Sequence, residues 1–370
     1  MMRQIQFYAF CIIYAICIIY LAITLPIGTH EAVIFYTDES ILKSLTHIAK
    51  GWFNNGLDFR LPFLLLGFLN IFLFFIMSKS YFEKEEDSFF ATTIFALLPG
   101  IITSAILVNI AVLVITLVMA FLIFNAKKLV WLQAGVAILL LYIHDASIIF
   151  FISIAIFSAF NRDRVLFVIA SLLIAISFLY FNTLEVGGHP HGEFLELFAL
   201  YMALFSPLVF IYFFYALYRI CLREKKDILW YLAFTSFILS ILLSLRQQVI
   251  MTDFAPYVIV AVVLMVLMYQ KTLNVRLPLF QKKYKIGFKI VMTSLVISAF
   301  IILLHKPLFR LYTDKTKHFA YGFYEPYWQS MELKEIQEPC YIAKNKKVQF
   351  QLKYYGIRRC DELDVPKIHK

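Results

Sequence analysis

From position 7 to position 27 this chain runs without a single charged side chain. About 20 apolar residues is the length a helix needs to cross a hydrocarbon core of about 30 Å, so the run predicts a membrane helix. Its pattern recurs at 61–77, 89–104, 105–124, 129–142, 146–160, 165–180, 195–218, 228–245, 254–269 and 290–304. The expectation is therefore eleven spans, an odd number that puts the two termini on opposite sides of the membrane. No small-residue cleavage site follows the first run, which predicts an uncleaved helix rather than a removed signal peptide.

Composition agrees with lipid as the solvent. The chain of 370 residues is 62% hydrophobic, 18% aromatic and 16% charged, whereas soluble domains carry about 25% charged residues. The net charge of +10 does not point to nucleic acid, because the basic residues sit in short loops between apolar runs. One set of loops carries Arg3, Lys79, Lys84, Lys127, Lys128, Arg162, Arg164, Arg219, Arg223, Lys225, Lys226 and the run 271–289. The opposite short loops hold Lys43, Lys50, Arg60 and Arg246. The positive-inside rule then predicts a cytoplasmic N-terminus, with the loop 28–60 and the tail from 306 outside.

The loop 28–60 opens with His30 and Glu31, a carboxylate beside an imidazole at the water boundary. Such a pair is either solvated loop or chemistry. Further on, Ile41, Leu42, Leu45, Ile48 and Ala49 recur at helical spacing, which predicts an amphipathic helix lying in the interface plane. The outward face also receives Asp38, Glu39, Asn109, His144, Asp145, His189, His191, Glu193, Arg246 and Asp253. Asn109 alone in an apolar run reads as a helix-bonding amide, and Asp145 as a helix cap. The Gly-His-Pro-His-Gly stretch at 188–192 is first a loop, and its two histidines lack the acidic or Cys partners that make a metal set. No metal site is expected from the sequence, although a divalent ion is not excluded. Arg246, a cation on the face where cations are scarce, meets either an anion such as a lipid phosphate or the carboxylate of Asp253.

Cys11, Cys17 and Cys221 lie in or at the ends of apolar runs and read as small hydrophobes. Cys340 and Cys360 lie in the polar tail and can form a disulfide if the tail is outside the cytoplasm; sequence separation does not decide it. Within the tail, 348–354 alternates apolar and polar residues as a strand does, which predicts a small sheet packed on helix. The domain expectation is thus a membrane domain at 1–305 and a small extracytoplasmic α/β domain at 306–370.

In its order of features the chain resembles the GT-C fold glycosyltransferases, the group that includes lipid A aminoarabinose transferases and protein O-mannosyltransferases. His30-Glu31-Ala32 stands where that family has an acidic motif after its first helix. Phe59-Arg60-Leu61-Pro62 looks like its opening of the second helix, and Leu97-Leu98-Pro99-Gly100 followed by Asn109 is similar to its Leu-Pro-Gly turn. Tyr142-Ile143-His144-Asp145 and the basic turn from Arg246 to Tyr257 fall at further family positions. The sequence departs from the pattern at three of them: His30 replaces the first-loop aspartate, Asn109 an acid and His144 a lysine.

The resemblance implies a helical bundle of about eleven transmembrane helices in a bacterial inner membrane, with a periplasmic cap. It implies transfer of a sugar from a polyprenyl-phosphate carrier to a glycolipid, polysaccharide or protein, with membrane lipid as a partner. No cofactor beyond the lipid-linked donor is implied, and no nucleotide-sugar glycine fingerprint occurs. In this reading Glu31 is the general base with His30 as its alternate, and Arg246 clamps the phosphate with Arg60 and Lys50 as helpers. Asn109, His144, His191 and Asp253 complete the substrate-binding face. Two other classes stay open: a catalytically silent scaffold on the same fold, and a transporter, which would need polar groups at mid-membrane and usually an internal repeat.

Overall fold

The computed structural model describes residues 2–37, 40–53, 55–180, 194–338, 340–343 and 345–360. These residues form α1 (Met2–Thr24), α2 (Thr29–Thr37), α3 (Ile41–Ile48), α4 (Leu57–Ser78), α5 (Glu85–Leu97), α6 (Pro99–Ile106) and α7 (Ala111–Ala126). They continue with α8 (Val130–Ile143), α9 (Ile148–Asn161), α10 (Arg164–Tyr180), α11 (Phe194–Phe205), α12 (Pro207–Arg223) and α13 (Ile228–Ser244). The rest are α14 (Met251–Ile259), α15 (Val262–Val275), α16 (Pro278–Leu303), α17 (His305–Leu308), α18 (Tyr321–Glu335) and α19 (Lys346–Tyr354). The protein is an all-helical membrane protein; among the described residues there is no strand, only an isolated parallel bridge between Cys340 and Arg358.

Among the described residues four helices are long and apolar enough to cross a membrane: Gln4–Thr24, Leu57–Ser78, Met251–Val275 and Pro278–Leu303. Two bent pairs, α5 with α6 at 64° and α11 with α12 at 104°, raise this to six if each pair is one span. Five further apolar helices are shorter, 10–17 residues each. Both bends fall at a proline that opens the following helix, Pro99 and Pro207, where the missing N–H and the ring's clash with the preceding turn stop a straight helix. Before the second, Ser206 takes φ +77°, a region that costs a residue with a Cβ energy.

The chain divides into two compact units. The larger comprises Met1–Tyr14, Leu66–Ser104 and Ile110–Phe300. Its centre is α14 and α15, where every residue from Phe254 to Val266 is buried. The span holding them is 78% buried, against 11% for α16, so the former is core and the latter presents its apolar surface outward. Around the centre, α7 packs on α8 and α14, α9 on α10 and α13, and α15 on α5 and α12. Aromatic pairs fill the gaps, such as Phe74 stacked on Phe95 at 4.0 Å and Tyr201 on Phe210 at 5.6 Å.

The second unit comprises Ala15–Leu65, Ala105–Asn109 and Ile301–Lys370. The residues around Glu31, expected as an open polar stretch after the first span, fold instead into α2, whose first turn carries Glu31; α3 follows where the helical spacing of Ile41, Leu42, Leu45 and Ile48 predicts a helix. Ser40 caps α3, its hydroxyl accepting from the Leu42 N–H at 3.2 Å. On α3, Leu42 and Thr46 are buried, as is Ala49 just after it, while Ile41 and Ile48 are exposed. The tail is not a separate body: α19 packs on both α2 and α18.

The expected strand at 348–354 is the helix α19. On a helix, an apolar residue at every second position gives two i,i+4 pairs on different faces. Val348 and Leu352 join Leu333 and Ile357 in one small core, while Phe350 stacks on Tyr36 at 6.1 Å and Tyr354 meets Phe59 edge-on at 5.5 Å. Asn345 starts the helix by accepting from the Lys347 N–H at 2.9 Å. The disulfide between Cys340 and Cys360, Cα atoms 4.9 Å apart, brackets it.

Candidate functional site

Arg60, in the first turns of α4, is fully buried, and Glu31 is 3% exposed. Their side chains pair as a two-pronged fork: Nε donates to Oε1 at 2.9 Å and Nη2 to Oε2 at 2.5 Å. The other donors of the guanidinium go to backbone carbonyls in the last turn of α1 and just beyond it. Nη1 donates to the Ala22 and Leu25 oxygens at 3.1 and 2.6 Å, and Nη2 to the Pro26 oxygen at 2.9 Å. All five N–H groups of the arginine are thereby used.

Glu31 is equally committed. Its Oε2 also accepts from the Gly28 N–H at 2.8 Å and its Oε1 from the Val108 N–H at 3.0 Å. A helix C-terminus leaves carbonyls without partners and carries partial negative charge, and a helix N-terminus leaves N–H groups. Arg60 therefore closes the end of α1 while Glu31 closes the start of α2. Gly56 makes room: a Cβ there would lie 2.4 Å from the Ala22 carbonyl oxygen and 3.2 Å from Arg60 Nη1.

The tail residues hold the same junction. The Ile27 N–H donates to Tyr355 Oη at 3.1 Å, and Gln351 Nε2 donates to the Ile27 carbonyl at 2.8 Å. Tyr324 Oη donates to the Thr24 carbonyl at 3.3 Å and meets His305 Nε2 at 3.1 Å. Burial pushes the Tyr354 hydroxyl up to about 12 and lowers the His305 imidazole below its ordinary value. Sequence reasoning missed Gln351, Tyr354 and Tyr355. The only signal for them was the period-two pattern, and it reads equally as strand and as paired helical faces.

The larger unit holds a second polar cluster. His144 sits at the break between α8 and α9, buried, with Nε2 3.9 Å from Asp253 Oδ1 on α14. That separation is beyond hydrogen-bond range, and Nε2 has no hydrogen-bond partner. Burial drives the imidazole down to about 4, so it is neutral near pH 7. Tyr257 Oη, one turn along α14 from Asp253, is also buried and unpartnered.

The remaining predicted residues fall elsewhere. His30 and Arg246 are exposed, and Arg246 makes no side-chain ion pair among the described residues. Lys50 is exposed with its ammonium 5.3 Å from the Phe35 ring centroid. Asn109 is half-buried in the 105–109 segment and donates to the Leu107 carbonyl at 3.5 Å. Asp38, Glu39, His189, His191 and Glu193 lie outside the described residues. Arg60 is thus no open phosphate ligand, since every donor it owns is taken. Among the described residues no three His, Cys, Asp or Glu side chains converge as a metal would require.

Against models of known protein families the chain matches none, and no curated protein matches it.

Proposed function

We propose that the protein is a multi-spanning glycosyltransferase that moves a sugar from a polyprenyl-phosphate carrier to an acceptor hydroxyl on the outer face of a bacterial cytoplasmic membrane. The observation that carries the reading is the His144–Asp253 pair. A neutral imidazole whose buried ring nitrogen has no hydrogen-bond partner lies 3.9 Å from a half-buried carboxylate, a separation that one oxygen at about 2.8 Å from each atom would bridge. An acceptor hydroxyl in that position would give its proton to Asp253 or His144. Its oxygen would bond the anomeric carbon as the bond from that carbon to the phosphate oxygen breaks, leaving the phosphate on the polyprenol. Exposed Arg246 supplies a cation for that phosphate.

Glu31, the base expected from sequence, has both oxygens taken and acts in this reading as a positioning residue for the first outer loop. The eleven crossings take the six longer or bent spans together with the five shorter apolar helices. The N-terminus then lies in the cytoplasm and the tail in the periplasm. The acceptor is a glycolipid, polysaccharide or protein.

A silent scaffold is the second reading, and the full commitment of Glu31 favours it, because His30 stands in place of the family's first-loop aspartate and the acid beside it has no free oxygen. The test is to delete the gene and profile envelope glycolipids, glycoproteins and polyprenyl-phosphate sugars by mass spectrometry. The strain is then complemented with wild type, Asp253→Asn and His144→Gln at matched protein levels. Loss of one sugar from an envelope acceptor, restored by wild type but not by Asp253→Asn, is expected. An unchanged profile in the deletion strain sinks the transferase and leaves the scaffold.

A further inference from the structure

At one end of α12 and α15 the larger unit has a cleft of about 360 Å³ lined by Arg219, Arg223, Arg276, Thr272, Tyr215 and Tyr218. Among the described residues no carboxylate lies within ion-pair distance of any of the three arginines. The neighbouring acid, Glu224, is spent on Lys271 Nζ at 2.8 Å. Two of the guanidinium groups are held in place: Arg219 Nη1 donates to the hydroxyl of buried Thr272, and Arg276 lies over the Tyr284 ring at 4.3 Å. Three cations gathered into one cleft repel each other, and an anion bound between them relieves that repulsion. Planar guanidinium groups fit a phosphate through paired N–H donors.

The rim of the cleft is apolar. Tyr218, Leu222 and Val275 are 56, 62 and 84% exposed beside the arginines. The helices that carry them are themselves largely apolar, so the cleft opens where a headgroup and its chains would lie side by side. We propose that this cleft binds a phosphate group, that of an anionic phospholipid whose chains lie on Leu222 and Val275. Basic pockets between membrane helices take such headgroups. The site uses none of the residues invoked for sugar transfer and stands apart from that reading; under the proposed topology it faces the cytoplasmic leaflet.

The test is native mass spectrometry of the full chain purified in detergent, titrated with phosphatidylglycerol and, separately, phosphatidylcholine. Wild type is expected to retain one phosphatidylglycerol with about tenfold preference. Arg223→Gln with Arg276→Gln should abolish the preference. Lys282→Gln with Lys283→Gln removes the same charge from exposed positions outside the cleft and should leave it unchanged. Arg223→Lys with Arg276→Lys keeps the charge but loses the paired donors; it should weaken the preference, and it serves if the glutamine variant does not fold. Equal retention of the two lipids, or equal loss in the lysine control, overturns the proposal. A parallel titration with inorganic phosphate separates the sources: displacement of the lipid is not expected, and displacement at millimolar phosphate overturns the lipid assignment in favour of soluble phosphate.

Discussion

A guanidinium with five donors engaged and a carboxylate accepting four hydrogen bonds form a pair that neither partner leaves cheaply. Removing one member of a buried ion pair strands the other charge and costs about 3–5 kcal/mol. Glu31→Gln is therefore expected to lower the thermal unfolding midpoint in detergent sharply. Glu31→Leu with Arg60→Met should recover a large part of that loss, and a double-mutant cycle measures how much. Loss of activity in Glu31→Gln alone would thus not identify a base. Gly56→Ala should cost about 1–3 kcal/mol by pressing a methyl group against the Ala22 carbonyl, read from the same unfolding curves. His144 gives a pH test. Its folded value is depressed to about 4 from an ordinary 6.5, so its contribution, roughly 3 kcal/mol, is intact above pH 6.5. It is lost as the pH falls from about 6.5 toward 4, because the unfolded chain takes up the proton first. Unfolding midpoints of wild type and His144→Gln across that range should converge on acidification. At this scale the sequence shows which residues are polar near an apolar boundary, and it singled out Glu31, Arg60, His144 and Asp253. Burial and partners were out of its reach: Arg60 is labelled a phosphate ligand until the three backbone carbonyls around it are seen.

Elements were legible where one pattern excludes others. An uncharged run of membrane length has a single reading, and α1, α4 and the α14–α15 span lie where the apolar windows put them. The α3 helix was visible in its spacing. The α19 helix was not, because its apolar alternation is compatible with two periods and the deciding information is long-range: Tyr36, Phe59 and Ile27 lie hundreds of residues earlier. The α2 helix was hidden for a related reason, since the carboxylate that caps its start on the Gly28 N–H is itself held by Arg60, 29 residues further on. The cap on α19 is local, and Asn345→Ala should cost about 1 kcal/mol. A larger effect belongs to the disulfide. Cutting a bridge with a sequence separation of 20 releases about 3 kcal/mol of chain restraint. Reduction should therefore speed amide hydrogen exchange across 346–354 while leaving α14 and α15 unchanged.

At the scale of the whole molecule, the basic loops and the helix count make a joint prediction. Single cysteines placed at Lys84 and Lys282 should resist a membrane-impermeant thiol reagent applied to intact cells, and one at Lys334 should be labelled. The reverse pattern overturns the orientation. The second unit adds a constraint of another kind. Residues 15–65 and 301–360 share one hydrogen-bonded body, with Ile27 held by Gln351 and Tyr355. A ribosome delivers Gln351 324 residues after Ile27, so the Ile27 junction stays open until that later stretch has been made. A chain halted before position 351 would carry every described helix of the larger unit and still leave the backbone polar groups of Ile27 without the partners that Gln351 and Tyr355 supply.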